Sequence, residues 1–294
     1  MRHVRALFVM SLAVAIAASL SVRAGAGDDT TPSLLDRVRE NVLKDDLLDE
    51  QFSYRMLRRT YNVNIVGKLS NGPERLYEVG PSPADPTRTW QRLVAEEGQP
   101  LKADKQRERD EKHLREAARD RQKRERESPA ARASRLENLE KERREELAQI
   151  DDVFKVYRLD RVGHETRGPD RLLVVTLTPR SEARPETKWG ERMRKFRGRA
   201  LVHEAEGPLA EIEMEALEEV YFGWGFIGRL HKGSRAVYRR DRLPDGTWVP
   251  VEAHFWGSGH TLLLVPFELE TWAKYFDYQR LDPAVSARIA AAGR

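Results

Sequence analysis

The chain has 294 residues, with 52 Lys and Arg against 48 Asp and Glu, and it contains no cysteine. The missing cysteine excludes disulfides, thiolate metal sites and a lipid-modified cysteine. Arg2, Arg5 and Arg23 lie in an acid-free N-terminal stretch, and without them the formal charge of +4 falls to about +1. A nucleic-acid partner argued from basicity alone therefore loses most of its support.

The first 26 residues read as an export signal. Arg2 and Arg5 form the positive start, residues 6–22 are apolar, and Ala24-Gly25-Ala26 supplies small residues for cleavage. The expected mature protein is periplasmic, and no later segment is apolar enough to span a bilayer. Thr31-Pro32 can start a helix. Leu34, Leu35, Val38, Val42 and Leu47 then give it an apolar stripe.

From Phe52 the period shortens to two. Phe52, Tyr54 and Met56 alternate with Ser53, Arg55 and Leu57, and Val63 and Ile65 continue the trend. A turn is expected at Ser70-Asn71-Gly72-Pro73, a short strand over 76–79 and a loop over 81–86. A strand over 89–95 ends at a Glu97-Gly98 turn.

Residues 102–150 differ in kind. Charges of both signs interleave at helical spacing, with a break at Ser128-Pro129 and a thin seam of Leu136, Leu139, Leu147 and Ile150. The pattern predicts a charged helical insertion, a hairpin or a broken coiled-coil-like rod. Strand patterning resumes at Val153 and continues, through a turn at 164–170, into the apolar run 171–179. Further strands are expected at 199–204, 209–217, 234–240, 248–256, 260–265 and 267–278. Ala210, Ile212, Met214 and Ala216 alternate with Glu211, Glu213 and Glu215, and Asp245-Gly246 marks a turn. The last residues, 283–294, form a short helix or a frayed tail.

Two motifs suggest chemistry. Gly223 to Gly228 match G-x-G-x-x-G, but strands on both sides replace the strand-loop-helix unit that a dinucleotide needs. Gly257-Ser258-Gly259-His260 lacks a nucleophile elbow and reads as a hairpin turn. The histidines show no metal-binding spacing. No catalytic residue, cofactor or metal is assigned, and the chain reads as a non-enzyme.

The order of segments adds a resemblance. Leu172 to Pro179, Gly198-Arg199-Ala200-Leu201, the Glu-alternating strand, Phe222-Gly223, Gly228-Arg229-Leu230, Lys232-Gly233-Ser234, Gly246 to Pro250 and Phe276-Asp277-Tyr278 resemble the outer-membrane lipoprotein-sorting superfamily. That group includes the LolA and LolB carriers and the RseB/MucB N-terminal domain. The charged insertion departs from the small carriers.

The resemblance implies an α+β fold over 27–290. Its core is an unclosed, strongly curved antiparallel sheet, a half-barrel, with helices on the concave face and the insertion at 102–150. It also implies an acyl-chain or lipoprotein ligand. Phe52, Tyr54, Trp90, Ile212, Met214 and Phe255 are the candidate cavity residues, chosen as large apolar side chains on alternating strands. A protein partner on the helical arm and a peripheral membrane contact complete the expected partners, with nucleic acid excluded.

Overall fold

The computed structural model describes residue 41 and residues 48–83, 85–222, 228–261 and 265–292. The export segment and the stripe from Leu34 to Leu47 lie outside the described residues, as do residues 223–227 of the glycine motif. In chain order the structure begins with α1 (Leu48–Gln51), β1 (Phe52–Val63), β2 (Leu69–Ser82), β3 (Asp85–Glu96) and β4 (Gln99–Pro100). Two long helices follow, α2 (Ala103–Glu125) and α3 (Pro129–Val156), then β5 (Tyr157–Arg167), β6 (Asp170–Pro179) and α4 (Lys188–Met193). The remaining strands are β7 (Phe196–His203), β8 (Leu209–Ala216), β9 (Val220–Phe222), β10 (Gly228–Leu230), β11 (Arg235–Arg242), β12 (Trp248–Thr261) and β13 (Pro266–Arg280), before α5 (Pro283–Ala292).

These elements form two compact units. The first holds residues 61–71 and 145–272. Its strands run β13, β12, β11, β8, β7, β6, β5, with the β9–β10 hairpin attached to β12. The second holds residues 48–60, 72–144 and 273–292, with strand order β4, β3, β2, β1, β13. Trp272 and Ala273 divide β13 between the units, and Arg144 and Glu145 divide α3. The described pairings are antiparallel, and neither strand path closes on itself.

Several boundaries differ from the sequence expectation. The turn expected at 70–73 lies inside β2, because the hairpin closes earlier. Asn64 Oδ1 accepts from Val66 N at 3.1 Å and Lys68 N at 2.7 Å, and Gly67 supplies φ 79°. The expected loop at 81–86 is mostly strand, with Ser82 paired to Asp85. Residues 153–156 continue α3, since Ile150, Val153 and Val156 bury at helical spacing. The expected turn at 164–170 shrinks to Gly168 and Pro169, with Gly168 at φ 57°. Within the polar connection after β6, α4 is capped by Thr187, whose Oγ1 accepts from Gly190 N at 2.9 Å.

Two boundaries match closely. Glu97 and Gly98 both have positive φ, as the β3–β4 turn requires. Ser128 Oγ accepts from Ala131 N at 3.2 Å, which caps α3 just before Pro129.

Candidate functional site

The first unit is organised around β8. Ala210, Ile212, Met214 and Ala216 are each at most 1% exposed, while Glu211, Glu213 and Glu215 are half-buried on the other face. Glu211 and Glu215 are held by arginines on the adjoining strands β7 and β11 and at the end of β5. Glu211 meets Arg167 at 2.8 Å and Arg239 at 3.0 Å, and Glu215 meets Arg197 at 3.0 Å. Opposite charges in cross-strand pairs favour this register and keep the outer face hydrated.

Register places the apolar residues side by side. Met214 stands opposite Gly198 and Ala236, and Ala236 stands opposite Phe255. Ile212 stands opposite Ala200 and Tyr238, and Tyr238 opposite Ala253. Ile212, Met214 and Phe255 therefore share one face across β8, β11 and β12. Gly198 leaves room for Met214, whose sulfur would lie 2.3 Å from a Cβ at that position. Protein covers the face: Ile212 is 1% exposed, Met214 0% and Phe255 8%.

The same face is closed along one row by Tyr157, Phe196 and Ala216. Tyr157 O–H donates to Met193 O at 2.6 Å, which ties α4 to the sheet. Burial pushes the Tyr157 phenol well above its ordinary range. On α3, Asp152 is fully buried and accepts from Glu186 N, Thr187 N and Thr187 Oγ1 at 2.7, 2.8 and 2.6 Å. These three donors explain how a carboxylate can occupy the interior.

The other candidates lie in the second unit. Phe52 is 2% exposed, meets Tyr278 edge-on at 6.0 Å and lies under the Arg280 guanidinium at 4.7 Å. Tyr54 shares its face at i+2 and stacks on Tyr278 at 5.1 Å. Trp90 is on the opposite face. It pairs with Gly80, whose Cβ position lies 3.1 Å from Ser53 Cβ, and Ser53 points away from Phe52 and Tyr54. Trp90 instead stacks flat on His113 of α2 at 4.2 Å, while His113 Nε2 bonds Ser82 Oγ at 2.8 Å. Arg92 meets Asp110 of α2 at 2.7 Å and Glu78 at 3.1 Å. The Asp110 hydrogen bond holds Arg92 above its ordinary range, and the Arg92 bond holds Asp110 below its own.

A polar cluster is assembled where a hairpin turn was expected. Gly257, Ser258, Gly259 and His260 continue β12, because the glycines admit close neighbours. Cβ atoms there would fall 2.5 Å from Ser234 Oγ and 2.1 Å from Arg229 O. Ser258 and His260 share a face at i+2. Ser258 Oγ is 3.1 Å from His231 Nδ1, and His231 Nε2 is 2.8 Å from His260 Nδ1. Arg229 donates to the same His260 nitrogen at 3.2 Å, so His260 accepts there. The hydroxyl-imidazole pair has the reach of a nucleophile and base. The position behind the base, however, is filled by an imidazole that already accepts from a guanidinium. A carboxylate there would stabilise the imidazolium formed on proton transfer; this arrangement lacks that charge. The sequence signal for the cluster was the i+2 spacing of Ser258 and His260, which a turn assignment hides.

No protein-family model matches the chain, and no curated protein matches it in sequence. Solved structures do. The chain is similar to a candidate outer membrane lipoprotein-sorting protein domain from Vibrio parahaemolyticus, at 8% identity and TM-score 0.28, over 88% of this chain and 97% of that one. It is similar to a LolA superfamily protein from Nitrosomonas europaea at 10% identity and TM-score 0.21, over 82% and 94%. A third is MucB in the MucA/MucB complex of Pseudomonas aeruginosa, at 9% identity and TM-score 0.17, over 83% and 95%. Likeness of this degree identifies neither an activity nor a ligand.

Proposed function

We propose that this chain is an exported, non-enzymatic carrier or envelope sensor. It takes up acyl chains, free or on a lipoprotein, on the apolar face of β8, β11 and β12. The observation that carries the reading is the register that puts Ile212, Met214 and Phe255 on one face, with Ala236 between Met214 and Phe255, Gly198 and Ala200 alongside on β7, and Ala253 beside Phe255 on β12. Small residues let the large ones pack closely, and Met214 is the most adaptable of the large side chains and the one best able to rearrange around a ligand. An acyl chain would be held by area, at about 25 cal/mol per Å².

The face is covered without ligand, so uptake displaces covering protein, and that displacement is what a sensor would transmit. Phe52 and Tyr54 form a lesser apolar set in the second unit, while Trp90 serves the seat of α2. The place of action is the periplasm, after removal of the segment ending near Ala26.

The test is mass spectrometry of lipids extracted from protein purified after export. Acyl species in near-stoichiometric amount are expected. Their absence, together with no saturable binding of a fluorescent fatty acid, would overturn the proposal.

A second reading has its own observation. Leu114 on α2 and Leu136 and Leu139 on α3 are 40%, 37% and 39% exposed on otherwise charged helices. Leu136 and Leu139 fall on one helical face, which suits an envelope protein partner with a helix of its own. Deleting residues 102–146 would then remove a co-purifying partner, and an unchanged partner set would dismiss this reading.

A further inference from the structure

The β1–β2 hairpin ends in an apolar tip. Tyr61, Val63, Ile65 and Val66 are 53%, 59%, 103% and 63% exposed. Turns normally carry polar residues or glycine at the apex, yet here Ile65 and Val66 occupy it. Their exposure is built in. Asn64 N donates to Lys68 O at 2.9 Å, Gly67 N donates to Asn64 O at 2.9 Å, and the Asn64 side chain accepts from Val66 N and Lys68 N. The turn is thereby fixed with both aliphatic side chains pointing into solvent. From Tyr61 to Pro73 the one charged residue is Lys68, with no acid.

We propose that this tip, Tyr61 to Lys68, is a membrane-contacting element that seats on an anionic lipid surface. A narrow convex tip offers little area to a rigid partner, whereas lipid deforms around it. Ile65 and Val66 enter the acyl boundary, Tyr61 lies at the headgroup level, and Lys68 meets lipid phosphates. The site is separate from the apolar sheet face, and either can fail without the other.

The cysteine-free sequence permits a direct test. The full chain carrying Ile65→Cys is labelled with an environment-sensitive fluorophore, and Lys232→Cys, an exposed position between β10 and β11, serves as control. Vesicles are either pure phosphatidylcholine or a mixture with one quarter phosphatidylglycerol. The label at position 65 is expected to brighten and shift to the blue on the anionic vesicles only, with position 232 unchanged. Lys68→Gln should weaken anionic-vesicle binding about fivefold, and the double change Ile65→Ser, Val66→Ser by about tenfold or more. The proposal fails if the label at 65 does not respond to anionic vesicles. It fails equally if the response is the same on phosphatidylcholine, or arises only when envelope proteins are added.

Discussion

Gly198 has no side chain because Met214 occupies the space. A Cβ at 198 would lie 2.3 Å from the Met214 sulfur and 2.8 Å from Glu213 O. The thioether can rotate away, but the backbone oxygen cannot. Gly198→Ala is therefore expected to destabilise the protein by about 1–3 kcal/mol despite the better strand propensity of alanine, as measured by denaturant unfolding. Asp152 shows the opposite economy, a buried charge that its surroundings require. Removing it leaves two backbone N–H groups and the Thr187 hydroxyl without their acceptor. Asp152→Ala should cost about 3 kcal/mol, with the connection at 185–190 the first to lose protection in hydrogen exchange. Neither dependence is visible in the sequence, where Gly198 stands just before the strand expected at 199–204 and Asp152 falls between the charged insertion ending at 150 and the strand pattern expected from Val153.

At the scale of elements, the strongest sequence signals were strict periodicities. The alternation in β8 and the interleaved charges of α2 and α3 lead to the observed elements, because each repeats over several turns or pleats. The errors fell where turn-forming residues serve another purpose. Asn71 and Gly72 look like a hairpin turn, but Asn71 Oδ1 accepts from Glu270 N at 2.8 Å inside the sheet. Gly257 and Gly259 admit close neighbours and do not reverse the chain. Both errors arise from contacts between residues distant in sequence, which local composition does not encode.

The attachment of α2 to β3 belongs to this scale too. The Arg92 bond lowers the Asp110 pKa in the folded protein. Its contribution is thus fully present above the unfolded value of about 3.9 and is lost as pH falls through the lower folded value. Between neutral pH and strong acid, α2 should become more open to proteolysis, and Asp110→Asn should show that looseness already at neutral pH. Equal protection of α2 at both pH extremes in the wild-type chain would contradict this.

For the whole molecule, the question posed by a one-sided sheet is what lies on its apolar face. The fold class was legible as an α+β arrangement dominated by antiparallel strands. Which of the candidate residues share a face was not legible beyond the single strand. Ile212, Met214 and Phe255 meet on one face, Phe52 and Tyr54 share another in the second unit, and Trp90 turns to α2. Periodicity assigns residues to faces within a strand, but register between distant strands decides which faces meet.

The methionines provide the most direct probe: among the described residues, Met214 belongs to β8 on the candidate face, Met56 to β1 and Met193 to α4. With methyl-labelled methionine, titration with a long-chain fatty acid should shift the Met214 resonance saturably and give transfer from the acyl protons to that methyl. A Met214 signal that stays unchanged through the titration would contradict the account.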